Sequence, residues 1–212
     1  MAKKNGSKQI ESDAADPARG RTALLYQLLE TEMGGVQVYR TALLCAVNAE
    51  LKKEWTKYLA ETERHVQIAR ALLQKLGFDP DAELAARVIV RHSGDALVQL
   101  MLEALATSTP DEAQLVAAEC VVKAETKDHM NWSLIGLLAD KTSGDESEAM
   151  RAAYDEVEPE EDHHLYHTTG WARELWAQAL GLPAVLPPPE EKRNVESQME
   201  AARAKQEREA SA

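Results

Sequence analysis

From Thr22 to Leu180 apolar residues recur at steps of three and four, in four stretches long enough for each to bury one stripe of a helix. Leu25, Leu28, Leu29, Val36, Tyr39, Leu43 and Ala46 define the first, about 22–47. Leu51, Trp55, Tyr58, Ile68, Leu72 and Leu76 define the second, which stops at Gly77 with Pro80 just beyond. The third starts at Thr109-Pro110-Asp111-Glu112, where proline is tolerated and acids meet the positive end of the helix dipole. It runs to about Asp140 with Leu115, Ala118, Val122, Trp132 and Ile135 on one face. The fourth, about Glu146 to Leu180, carries Met150, Tyr154, Val157, Leu165 and Thr168 and is closed by Gly181 and Pro183. The turns near Asn48 and over 141–145 are short, whereas 78–110 is long and includes the helix-forming run 96–106. The pattern therefore predicts an all-α four-helix bundle, two antiparallel hairpins joined by a long crossover that contains a short extra helix.

Outside this block, residues 1–20 are polar without periodicity and read as a flexible arm. Residues 183–212 open with the stiff LPAVLPPP and end in a charged, alanine-rich run without an apolar face, leaving 21–182 as the folded domain. A net charge of −12 argues against nucleic acid as a partner and suits a protein that attracts cations. No run is long and apolar enough for a membrane span and the start has no apolar signal core, so the expected location is the cytoplasm, with no membrane partner. Cys45 and Cys120 lie far apart within apolar helical patterns and read as buried reduced thiols.

An acid within an apolar stripe needs a reason, because burying a carboxylate costs several kcal/mol unless it is paired or bound to a cation. Glu32 is in register with Leu25, Leu28, Val36 and Tyr39, whereas Glu30 points away; Glu125 is in register with Ala118, Val122 and Trp132. His65 continues the line of Tyr58, Ile68 and Leu72, with Glu61 one turn earlier. Glu161 and His164 extend the line of the fourth stripe, while Glu160, His163 and His167 sit to one side. Residues equidistant from a hairpin turn face one another. Counting from residues 47–48 sets Glu32 between Glu61 and His65, and counting from Gly144 sets Glu125 within the Glu161–His164 pair. Asp128 and His129, one turn beyond Glu125, read as supporting partners or polar rim.

A glutamate from each of two helices with Glu-x-x-His on each of the other two is a di-metal ligand set. With it, the chain resembles the ferritin-like superfamily, which includes bacterioferritins and rubrerythrins, over about residues 22–170. Glu32 with Tyr39 is similar to that family's first-helix Glu-x6-Tyr, Glu125 to its third-helix glutamate, and Glu161-x-x-His164 to its fourth-helix motif. Thr62 departs from the pattern, standing where the second helix would carry an acid three residues before His65, and Glu61 is the acid nearest to that role. Glu61-Thr62 followed by His65-Val66 and Ala69 also resembles a branch of small bacterial ferritin-like stress proteins.

The resemblance implies two iron ions or manganese, with Glu61 and Glu161 bridging, His65 and His164 capping one ion each, and Glu32 and Glu125 terminal. It further implies oxidation of ferrous iron or consumption of dioxygen or peroxide, and a homo-oligomer. No cysteine-rich rubredoxin-like module accompanies it, which speaks against a full rubrerythrin electron relay. The alternative is a degenerate, metal-free bundle acting as a structural or stress-associated interaction protein, which Thr62 and the unusual tail favour.

Overall fold

The computed structural model describes residues 16–189, so residues 1–15 of the arm expected over 1–20 and residues 190–212 of the tail expected over 183–212 lie outside the described residues. The described residues are all-helical: α1 Pro17–Cys45, α2 Ala49–Lys75, α3 Ala85–Thr107, α4 Pro110–Lys141 and α5 Asp145–Ala179. Local chemistry sets these boundaries. The Asp16 carboxylate accepts from the Ala18 amide at 3.0 Å and Pro17 fills the first helical position, so α1 begins five residues earlier than its apolar stripe suggests. Asn48 Oδ1 accepts from the amides of Glu50 and Leu51 and starts α2 after a tight turn. A capping box between Thr109 and Glu112 starts α4. Gly144, at φ 72°, supplies the left-handed turn into α5.

α1 packs on α2, α3 and α4; α5 packs on α4 and α2; and α3 also touches α4. Two apolar clusters organise the interior. One joins Tyr39, Leu51, Trp55, Tyr58, Val121 and Trp171. The other joins Leu25, Leu29, Leu73, Trp132, Ile135 and Met150. Each of α1, α2, α4 and α5 passes from one cluster to the other, and the ionisable residues Glu32, His65, Glu125, Glu161 and His164 fall at the crossover on all four. The polar layer is thus sandwiched between apolar layers, where stray water is excluded and an unmet charge is costly.

Two expectations need correction. The short helix expected at 96–106 is a 23-residue helix from Ala85. Its first half has no apolar stripe of its own; Arg87 and Arg91 hold it to α1 by donating at 2.7 Å to the Glu30 carboxylate. Glu30 does turn away from Glu32, but it is buried, and although burial pushes its carboxyl up, the hydrogen bonds from Arg91 and Arg87 win and hold it below the usual range. A Cβ built on Gly94 would stand 3.6 Å from the Gly34 Cα, so the two glycines let α1 and α3 approach closely. The expected tail also starts differently, since Pro188 is buried against Gly170 and its carbonyl lies 3.3 Å from His167 Nε2. Gly170 has no side chain to hold the proline ring off. Cys45 and Cys120 are buried and unbridged, and no helix among the described residues is long and apolar enough to cross a membrane.

Candidate metal centre

Four helices contribute to one buried constellation: Glu32 from α1, His65 from α2, Glu125 from α4, and Glu161 with His164, one turn apart, from α5. Each is at most 3% exposed. Glu32, His65 and Glu161 each offer one nitrogen or oxygen within 4.8 Å of the others, and Glu125, Glu161 and His164 do the same. Glu161 belongs to both triads, so it alone joins the two halves. Two ions bound side by side would share its carboxylate.

The histidine rings are oriented alike. His65 Nδ1 lies 2.9 Å from Glu161 Oε1 and 3.7 Å from Glu32 Oε1, and His164 Nδ1 lies 3.6 Å from Glu161 Oε1 and 3.7 Å from Glu125 Oε2. None of these contacts is a hydrogen bond, three being too long and the 2.9 Å one misaligned. The opposite nitrogens are tied down: His65 Nε2 is 2.8 Å from Glu160 Oε2, which Arg64 also holds, and His164 Nε2 is 3.0 Å from Glu61 Oε2, with Lys57 Nζ 3.3 Å from the other oxygen of Glu61. An Nε2–H donated to a carboxylate leaves Nδ1 with its lone pair facing inward, the tautomer a metal-binding imidazole requires.

Glu61, expected as a bridging ligand, belongs to neither triad, and its carboxylate meets the histidine of the opposite helix. Burial pushes its carboxyl up, but the His164 hydrogen bond and the charges of His164 and Lys57 prevail and keep it below the usual range. Glu160, read from periodicity as off to one side, is its counterpart and orients His65 across the α2–α5 contact. Thr62, in the position of the missing acid, is buried and donates its hydroxyl to the Tyr58 carbonyl at 2.9 Å, an intrahelical bond.

Without a cation the constellation is electrostatically unhappy. Burial first, then the charge of Asp128, pushes the Glu125 carboxyl up to about 8. Burial likewise drives Glu32 and Glu161 well above the usual range, reinforced by neighbouring carboxylates, although Trp132 Nε1 donates to Glu32 Oε1 at 2.6 Å. His164 is lowered to about 4 by burial and so is neutral at pH 7. Among the described residues, six of the nine buried side-chain atoms without a hydrogen-bond partner belong here: Glu32 Oε2, His65 Nδ1, Glu125 Oε2, Asp128 Oδ1, Glu161 Oε2 and His164 Nδ1. A buried layer of carboxyl oxygens and imidazole nitrogens left unmet, with the carboxyls raised by burial, fits divalent cations, and the mixed carboxylate and imidazole set suits iron or manganese.

Around the centre, the Tyr58 ring packs on His164 with centroids 4.3 Å apart, and Tyr39 meets His164 edge-on. His167, also read as off to one side, is buried, with Nδ1 3.2 Å from the Tyr58 hydroxyl and 3.3 Å from Glu54 Oε2. His163 is only partly buried. Periodicity along one helix gave no sign of Glu160 or His167, because both are recruited by neighbours on other elements. Asp128, in contrast, carried a signal in its position one turn beyond Glu125. Comparison with protein-family models, with curated proteins and with solved structures finds no significant match to this chain.

Proposed function

We propose that this chain is a di-metal protein of ferritin type, with α1, α2, α4 and α5 forming the four-helix bundle, that oxidises ferrous iron at the expense of dioxygen or peroxide. The observation that carries the reading is the matched pair of triads sharing Glu161, each with an inward histidine nitrogen whose outer nitrogen is tied to a carboxylate itself neutralised by Arg64 or Lys57. A core histidine kept only for packing has no need of two such supports.

Glu32, His65 and Glu161 would hold one ion, and Glu125, His164 and Glu161 the other. When bound, such a pair supplies two one-electron equivalents at fixed separation. The protein fixes that separation through Glu161, lowers the cost of the ferric state with anionic oxygens, and keeps bulk water out with the apolar layers above and below. Glu160 and Glu61 hold the two imidazoles with Nδ1 pointed inward, and burial keeps His164 neutral against the upward pull of Glu61. Manganese fits the same donors, and self-association of the bundle is part of the proposal.

The test is anaerobic loading with ferrous iron followed by admission of oxygen. Oxidation should run faster than in buffer alone, and Glu125→Ala should remove most of the gain while leaving the fold intact. The rival reading, a metal-free scaffold in a structural or stress-associated role, draws on Thr62, whose buried hydroxyl is already satisfied within α2. It predicts that the wild-type protein binds neither iron nor manganese and that Glu125→Ala alters stability alone.

A further inference from the structure

We propose that Asp128 is the fourth carboxylate of the centre and a ligand of the ion in the Glu32–His65–Glu161 half. This rests on the di-metal reading above and goes beyond the ligand set the sequence resemblance implies.

Three observations converge on Asp128. It is 4% exposed, and its Oδ1 has no hydrogen-bond partner, so a polar atom that water cannot reach is left unmet. It stands one turn beyond Glu125 on α4 and interacts with all three members of the Glu32–His65–Glu161 triad, and with Glu125 and Glu161 of the other. Lys127, whose charge favours the Asp128 carboxylate, is hydrogen-bonded to Asn131 Oδ1 rather than to Asp128. Asp128 lies outside the tight 4.8 Å triads, so it would close on the ion by a side-chain adjustment.

Charge counting gives the reason. Glu61 and Glu160 are each matched by their own cation, Lys57 and Arg64, and so contribute no net charge to the interior. The imidazoles are neutral ligands. Glu32, Glu125 and Glu161 supply three negative charges against the four positive charges of two divalent ions, leaving a buried excess of one. Asp128 supplies the fourth. Thr62 removes an acid from α2, and Asp128 restores the balance from α4. A buried pair of ions with uncompensated charge would be strongly disfavoured.

The probe is cobalt(II) alone, added anaerobically to the full chain, with stoichiometry and affinity read by competition against a chromophoric chelator and ligand geometry by the visible absorption of the metal. The wild-type protein should bind two ions. Asp128→Asn should retain one and bind the second at least about tenfold more weakly with an altered spectrum, while Asp128→Glu should still bind two. In the metal-free state Asp128→Asn should melt higher than wild type, because the neutral amide suits a buried site better than a carboxylate does; this same measurement confirms that the variant is folded. If Asp128→Asn binds two ions with wild-type affinity and spectrum, the assignment of Asp128 is wrong and the di-metal reading stands. If the wild-type protein binds no cobalt, both fall.

Discussion

Raising the pH should weaken the metal-free protein across a range in which most globular proteins change little. Glu125 has a folded-state pKa of about 8, against 4.5 as the ordinary value for an exposed glutamate. Between these values the folded state holds a proton that the unfolded chain has released. The unfolded state therefore binds fewer protons, and stability falls as pH rises. From pH 6.5 to 8 the folded carboxyl loses about 1.2 decades of protonation free energy, and the unfolded one almost none. His164 works in the opposite direction: lowered to about 4, it is neutral when folded, and its unfolded form sheds a remaining ~0.3 decade over the same window. The balance is a loss of roughly 1 kcal/mol, or about 2–4 °C in melting temperature. Glu32, Asp128 and Glu161, all raised by burial, add to it in the same direction. Urea denaturation of chelator-stripped protein at several pH values measures this directly. With saturating divalent metal the slope should reverse, because the ligands must be deprotonated to bind. A metal-free stability that is flat or rising from pH 6.5 to 8 would refute the claim that these carboxylates are buried together.

Other expectations follow from single contacts. Glu160→Gln and Glu61→Gln should each weaken metal binding about 10- to 100-fold in calorimetric titration, because each loosens the orientation of one histidine without removing a ligand. Arg87→Met leaves the buried Glu30 carboxylate with only the half-exposed Arg91 and should cost about 3 kcal/mol in urea denaturation. A loss under 1 kcal/mol would mean that α3 is not held by this pair. Gly136→Ala places a Cβ 2.9 Å from the Tyr154 ring, an overpacking cost of about 1–3 kcal/mol that should exceed the ~1 kcal/mol gained in helix propensity, so the melting temperature should drop.

The helices that bear the centre were legible because their apolar stripes run at one period from end to end, and an acid inside such a stripe is conspicuous. Glu32, Glu125, Glu161 and His164 were picked out in this way, and the turn distances supplied their levels. α3 was only half legible. Arg87, Arg91 and Gly94 break its apolar pattern, and it is long because it pairs with Glu30 and Gly34 on another helix, a relation that no single-helix period encodes. The roles of Glu61 and Glu160 were hidden for a similar reason. Each serves a histidine across the α2–α5 contact rather than on its own helix, so spacing along the chain suggested a bridging partner for His65 where the structure has a support for His164. Pro188 was read with the tail because its burial depends on the absence of a side chain at Gly170.

The central claim is that two ions share Glu161. Anomalous diffraction from crystals grown with manganese(II), at wavelengths on either side of the metal edge, locates such ions without reference to activity. Two peaks per chain are expected, both against Glu161, one with Glu32 and His65 Nδ1 and the other with Glu125 and His164 Nδ1. Crystals with no peak in this layer, or with manganese only at outer residues such as Glu160 and His163, would contradict the account.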